Sequence, residues 1–220
     1  MLAAGEKADA KQRLIEAALR VFGEHGFKGA STRAIAGAAG VNIAAIPYYF
    51  GGKEGLYMGV VGHIADQITA RMSPGLRAAE QLASDSATTP EQRRQAMLAL
   101  GDRFISMMVG TEEAALWARI MVREQFDPTE AFDVLYSRVM APSYMAVSRL
   151  LGPLLGLPAE SEELKLRIFS VIGQALIFRV ARTAVLRRLE WDAYTPDRLD
   201  QIRAAVRANI IAIMDAGRPA

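Results

Sequence analysis

Between Ser31 and Phe50 the chain carries the start and stop signals of two helices of about eight residues each, joined by a single glycine. Ser31 is of the type that caps a helix by accepting one of the backbone N–H groups that lack an intrahelical partner, and the run it opens extends to Ala39. Gly40 supplies the left-handed residue that ends a helix, and Val41 the apolar residue that folds back over the last turn. Asn42 is a second capping residue, predicting a helix to about Phe50. The same glycine-then-apolar stop, Gly26–Phe27, closes an earlier helix from Lys11 to His25, whose Leu14, Ile15, Ala18, Leu19, Val21 and Phe22 recur at helical spacing. Two short helices hinged on glycine have helix-turn-helix spacing.

The rest of the chain is punctuated in the same way. Thr89–Gln92 is a capping box with proline at the first helical position, Asp127, Pro128 and Glu130 repeat that arrangement, and Thr195–Pro196 opens the last helix. Thr111 after Gly110 marks another start, while Pro74, Gly152–Pro153 and Gly217 are predicted stops. Pro142 is predicted to kink its helix rather than end it. No run of four alternating β-branched residues predicts a strand, and Ser84 to Thr89 is the expected flexible loop. The fold class expected is all-α, with about nine helices.

Composition narrows the chemistry. Of 220 residues 51% are hydrophobic and 23% charged, an ordinary globular balance. There is no cysteine, which excludes disulfides, thiolate zinc sites and a cysteine nucleophile. His25 and His63, the two histidines, are far apart in sequence, so no metal site is expected and no cofactor is called for. Glu6, Lys7 and Asp9 break up any N-terminal leader, and the longest apolar run, Ile168 to Phe178, is too short to span a bilayer. A soluble, cytoplasmic protein with no membrane partner is expected. The net charge is +2, and the excess lies within residues 1–56.

Helix-turn-helix geometry accounts for the residue types in the first segment. The small Ala36 lets two helices cross closely, and Val41 and Ile46 pack beneath the second. Ile43, Ala44, Pro47 and Tyr48 are left on the outer face, which in such a motif lies in the major groove of DNA. Tyrosine hydroxyls, amides at the helix starts and Lys53 would hold phosphates. The stretch TRAIAGAAGVNIAAIPYYFGGKEGLY resembles the DNA-binding head of the TetR/AcrR family of bacterial repressors. Thr32, Ile35, Ala36, Ala39, Gly40, Val41, Tyr49, Phe50, Lys53, Glu54 and Leu56 fit the family pattern. The resemblance implies a DNA-binding domain over residues 1–56, an effector-binding and dimerisation domain over 57–220, and DNA contacts from Thr32, Arg33, Asn42, Ala44, Ala45, Tyr48, Tyr49 and Lys53. Two residues depart from the pattern. Ala45 replaces a common threonine, and Pro47 replaces the usual tyrosine or asparagine. Pro47 forfeits a bond to the Ile43 carbonyl; its ring either meets a thymine methyl or only bends the helix.

In the remainder, the last helix carries Leu199, Ile202, Val206, Ile210 and Ile213 as one apolar stripe. The preceding helix, read as Glu162 to Leu189, is apolar nearly all round, and a helix apolar on every side must be buried on every side. A homodimer through these two helices, as in the family, is expected, with Phe169, Ile172, Leu176, Leu199, Ile202, Val206 and Ile210 at its seam. Phe104, Met108, Trp117, Met121, Tyr136, Tyr144 and Phe178 suit either a core or, as the resemblance implies, an effector pocket with Glu124 and Gln174 as its polar groups. A polar group on an apolar face is satisfied internally or contacts ligand. The runs REQFDPTEAFDVLYSRVMAP and IGQALIFRVARTAVL resemble the CecR-like branch of the family. No nucleophile elbow, metal cluster or phosphate loop points to an enzyme. The function expected is a ligand-responsive repressor that binds a palindromic operator on double-stranded DNA as a dimer and is released by a small hydrophobic effector. The alternative is a helical small-molecule-binding dimer that no longer reads DNA specifically.

Overall fold

The computed structural model describes residues 4–216, so the stop predicted at Gly217 lies outside them. Every secondary-structure element among the described residues is helical: α1 (Ala4–Gly29), α2 (Thr32–Ala39), α3 (Ala45–Phe50), α4 (Lys53–Ser84), α5 (Pro90–Val109), α6 (Glu112–Phe126), α7 (Glu130–Leu135), a π-helical turn (Tyr136–Met140), α8 (Ala141–Leu155), α9 (Glu162–Val180), α10 (Arg182–Leu189) and α11 (Pro196–Asp215). They pack as two compact units, one of residues 4–67 and 116–136, the other of residues 68–115 and 137–216. Packing thus divides the chain differently from the division by role expected at residues 56 and 57, because α4 and α6 each contribute to both units.

The first unit is built on Leu14, Ala18, Phe22, Ile35, Ile46, Leu56, Val60, Ile64, Trp117 and Ile120, all fully buried. Burial of each large side chain stabilises by about 1.5–3 kcal/mol. Its local signals are obeyed. Gly26 leaves helical geometry at φ 73°, as predicted from the sequence. Ser31 caps α2 by accepting from Ala34 N–H, and Gly40 is left-handed at φ 64° with its N–H on the carboxyl-terminal carbonyls of α2. Val41 N–H reaches the Ala36 carbonyl at 3.1 Å, which completes the stop.

In the second unit α5 packs against α8, α9 and α11. The capping box at Thr89–Gln92 is present, with both reciprocal bonds made. Two predicted stops are not stops: α4 runs through Pro74 and α8 through Pro153 to a left-handed Gly156. A proline inside a helix orphans the carbonyl four residues before it. Ser73 Oγ donates to the Ala70 carbonyl at 3.4 Å, and Arg93 Nη1 donates to the Arg149 carbonyl at 3.3 Å. Pro142 perturbs its helix as expected, with the π-turn directly before α8; there Thr69 Oγ1 donates to the Arg138 carbonyl at 3.3 Å. Side chains supply the missing donors, so the helices continue.

The helix read as Glu162 to Leu189 is two. α9 and α10 meet at Ala181 with a bend of 75°, which helps take the observed elements beyond the expected nine. Just before the bend, Arg179 is 8% exposed. Its guanidinium donates to the Met108, Val109 and Thr111 carbonyls, the last two at 2.9 Å, so it caps the carboxyl end of α5. Burial lowers its pKa, and the negative end of α5 helps to hold the charge. Among the described residues no single helix is long and apolar enough to cross a membrane; α9 and α10 would qualify only as a bent pair.

Candidate functional site

The α2–turn–α3 segment sets a short helix on the surface of the first unit. Asn42 Oδ1 accepts from Ala44 N–H at 2.9 Å, closing a turn, so α3 begins at Ala45 and not directly after Asn42. This shift disposes of the proline problem. Pro47 falls in the first turn of α3, where N–H groups have no intrahelical acceptor, and the Ile43 carbonyl it would have bonded accepts from Ile46 N–H at 3.1 Å. Pro47 therefore costs α3 no hydrogen bond.

Ile46 is buried beneath α3, whereas Asn42, Ile43, Ala44, Pro47 and Tyr48 are exposed, Tyr48 by 70%. Thr32 and Ala45 are half-buried and Arg33 is exposed. Tyr49 is half-buried, with its ring edge-on to Tyr48 at 4.8 Å. Lys53, in the first turn of α4, sets its Nζ 4.8 Å from the centre of the Phe27 ring, which holds the ammonium at this surface. Gly55 was passed over in the sequence reading. A Cβ there would stand 1.8 Å from the Phe50 carbonyl oxygen, so only glycine lets α4 start directly against the end of α3.

The polar groups of α6 face inward within the same unit. Glu124 is 3% exposed, and its carboxylate is saturated: Tyr57 Oη donates to Oε1 at 2.7 Å, and Thr129 N–H and Oγ1 donate to Oε2 at 3.0 and 2.9 Å. Expected to meet an effector, Glu124 is satisfied internally instead. Arg123 donates to the Phe22 carbonyl and, at 3.5 Å, to that of Glu24, at the end of the first segment of α1. Burial first, then the bond to Glu124, pushes the Tyr57 phenol well above its ordinary value. The signal for Arg123 and Tyr57 was polar atoms set among apolar residues; their partners lie about 65 to 100 positions away and left no mark on local pattern.

The nine residues expected around an effector do not line one cavity. Trp117, Met121, Glu124 and Tyr136 belong to the first unit; Trp117 is fully buried and Tyr136 stacks on Phe132 at 6.0 Å. Phe104, Met108, Tyr144, Gln174 and Phe178 belong to the second. There a cavity of about 50 Å³ lies among Met72, Leu76, Met97, Phe104, Ile172, Ala175, Val206 and Ile210, and of the nine only Phe104 reaches it. Ser143 is its sole polar lining side chain, and its hydroxyl donates to the Val139 carbonyl at 2.7 Å. Met108 is buried elsewhere, Tyr144 packs on Phe169 at 5.1 Å, Gln174 is half-buried, and Phe178 is half-buried with its carbonyl accepting from Tyr194 Oη at 2.7 Å.

The expected seam is also rearranged. Ile202, Val206 and Ile210 are each 2% exposed and face into their own unit; Ile172, Leu176 and Leu199 are half-buried. An apolar stripe at 3–4 spacing marks the core face of a helix. The uncovered apolar surface lies elsewhere: Leu166, Phe169, Ile177 and Val180 on α9, with Ala204, Ala205, Ala208 and Ile211 exposed on α11.

Two short helices in contact across a glycine turn, with a third helix packed on the first of them, define a helix-turn-helix regulator of transcription. Residues 14–59 match the model of bacterial regulatory proteins of the tetR family, and residues 93–217 match that of the C-terminal domain of the HTH-type transcriptional dual regulator CecR. The HTH-type transcriptional dual regulator CecR of Shigella flexneri is 34% identical over 96% of this chain and 92% of its own. Among solved structures, a TetR-family regulator from Mesorhizobium loti aligns with a TM-score of 0.62 at 16% identity, over 94% of this chain and 96% of that one. FadR from Bacillus subtilis in complex with stearoyl-CoA aligns with a TM-score of 0.60 at 16% identity, over 93% and 98%. The chain belongs to the TetR family of bacterial transcriptional regulators, among those with a CecR-type C-terminal domain. Relatives and fold are those of regulators, not enzymes.

The Tyr57–Glu124 pair makes a prediction about stability. With its phenol pKa raised in the folded state, Tyr57 keeps its proton after the unfolded chain has lost it. Its contribution is therefore complete below the ordinary phenol pKa of about 10 and declines as pH rises beyond it. Tyr57→Phe is expected to destabilise by about 1–3 kcal/mol at pH 8, and the gap to wild type should shrink as pH rises past about 10. Urea denaturation across that range measures it, and parallel curves would dismiss the coupling.

Proposed function

We propose that the protein is a ligand-responsive transcriptional repressor, a homodimer that binds a palindromic operator and leaves it when a small hydrophobic effector binds. The uncovered outer face of α3 is the observation that carries this reading. Residues 1–56 serve as the DNA-binding domain and residues 57–220 as the effector-binding and dimerisation domain, in a cytoplasmic protein. Ala44, Ala45 and Pro47 give close, apolar contact with base edges, thymine methyls included. Thr32, Arg33, Asn42, Tyr48, Tyr49 and Lys53 serve phosphates and set register. The Shigella flexneri relative is named a dual regulator, so a reporter assay on the protein's own operator decides between repression and activation. Lys53→Ala should weaken binding by about threefold to tenfold on all sequences alike and lower the slope of log affinity against log salt by about one. Fluorescence anisotropy on cognate and scrambled duplexes at several salt concentrations tests this. Equal affinity of the wild type for both duplexes would favour a dimer that no longer reads DNA.

The dimer is proposed to form through the exposed faces of α9 and α11, where Phe169 is 57% and Ile177 51% exposed. Contiguous apolar surface of this kind marks an interface. Phe169→Glu leaves the core of the unit untouched and places a charge against a partner's apolar surface. Sedimentation should then show a folded monomer; an unaltered dimer would move the seam elsewhere.

For the effector, the cavity beside Phe104 is proposed as the seed of the pocket. At about 50 Å³ it is far below the several hundred Å³ that drug-sized ligands fill, so binding has to enlarge it, and Met72 and Met97 are the pliable walls. A ligand that selects the enlarged form regulates DNA binding only if that form holds DNA less well. Ala175→Val adds two carbons to the cavity wall. Operator affinity should be kept within about twofold while release by any compound that displaces wild type is lost. Undiminished release would exclude this cavity.

A further inference from the structure

A second recess lies at the end of the second unit where α4 and α8 finish and α5 begins. It is an open cleft of about 470 Å³, and its side chains include Arg93, Ser148, Arg149, Pro153, Leu157 and Pro158. Three observations bear on what it holds. First, Arg93 closes the first turn of α5 and Arg94 directly follows it, near the helix end where the dipole disfavours cations. Arg94 is neutralised by Asp215 at 2.6 Å, but Arg93 has no carboxylate partner among the described residues. Second, the guanidinium of Arg93 is not loose. Its Nη1 is pinned to the Arg149 carbonyl that Pro153 leaves unpaired, at 3.3 Å, and its other N–H groups make no further bond among the described residues. Third, the second arginine, Arg149, pairs among the described residues only with Glu80, at 3.3 Å, in a pair whose partners are 41% and 66% exposed. Such a pair is weak and replaceable.

The walls are equally specific. Ser148 is buried, and its hydroxyl donates to the Ala159 carbonyl at 3.1 Å, fixing the loop after α8 as one side of the cleft. Pro153, Leu157 and Pro158 give that side apolar surface. We propose that this cleft binds a small organic oxyanion, a phosphate monoester or a carboxylate, whose charge lies between Arg93 and Arg149 and whose apolar part rests on Pro153, Leu157 and Pro158. Guanidinium groups present planar forks of N–H donors that match either oxyanion, and a fork already held in place loses little freedom on binding. The site is separate in chemistry from the apolar cavity. α4, α5 and α8 line both, but the cavity would leave an anion unpaired. The proposal stands whether or not that cavity takes an effector.

Phenyl phosphate and benzoate are the probes, with benzyl alcohol as the neutral control, titrated calorimetrically into the full chain. Saturable binding of at least one anion and none of the alcohol is expected. Tighter binding of phenyl phosphate identifies the phosphate ester as the ligand class; tighter binding of benzoate identifies the carboxylate. Arg93→Gln removes the charge and should weaken binding about tenfold. Glu80→Gln removes the competitor for Arg149 and should tighten binding about threefold. The latter variant leaves the Arg93 bond intact, so it remains informative if Arg93→Gln unfolds. No saturation by either anion, or affinities unmoved by Arg93→Gln and Glu80→Gln, would overturn the proposal; anion binding elsewhere on the chain, such as at the helix-turn-helix, would give that second result.

Discussion

A backbone carbonyl without an N–H partner is the constraint to which this structure keeps responding. Every helix end leaves such groups, and every proline inside a helix adds one. A chain made of many helices with interior prolines has many of them, and each one shut away from water without a donor would cost about 1–3 kcal/mol. Here long polar side chains are sent to meet them. Arg123 covers the carbonyls where α1 breaks, Arg179 those where α5 ends, and Tyr194 that of Phe178 before the α9–α10 bend. Ser73, Thr69 and Arg93 each supply the donor that a proline withholds. Arg123 and Arg179 suit this task because one planar fork reaches several carbonyls at once, and its charge suits the negative end of a helix.

The same constraint shapes the outer surface of the helix-turn-helix. α3 is only six residues long, and much of its backbone lies in end turns. Proline is tolerated there because the first turn has no bonds to lose, and Ile46 N–H takes the carbonyl that Pro47 does not. Tyr48 stands in solvent while Ile46 is buried beneath the helix and Phe50 is half-buried. Gly55 completes the arrangement by allowing α4 to begin against the last carbonyl of α3. A helix so short is positioned by its neighbours rather than by its own stability.

In the second unit, burial has sorted apolar residues in a way that hydropathy alone does not. The strongest apolar stripe of α11 closes its own core, while the apolar part of its exposed face is mostly alanine, which carries little hydropathy signal. On α9 the residues are apolar in both directions, so the inward Leu164, Ile168, Val171 and Ala175 and the outward Leu166, Phe169, Ile177 and Val180 differ only in where the helix has been turned.

Local chemistry accounts for what was legible from residues alone. Caps and glycine stops act over four or five positions, so Ser31, Gly40, Thr89 and Thr195 marked their helices correctly, and the helix-turn-helix with its outward Ile43, Ala44, Pro47 and Tyr48 could be read directly. The same reasoning stopped helices at Pro74 and Pro153, because the donors that let them continue include one on another helix, and it ran α9 into α10, because the bend at Ala181 has no glycine or proline to announce it. Which face of α11 is inward, which of the expected pocket residues meet, and whether Glu124 is free or saturated were decided by tertiary structure. The reason is physical: periodicity states that a side chain is apolar or polar at a given angle, whereas burial and hydrogen bonding depend on partners such as Tyr57 and Thr129 that only the packed chain brings within reach of Glu124.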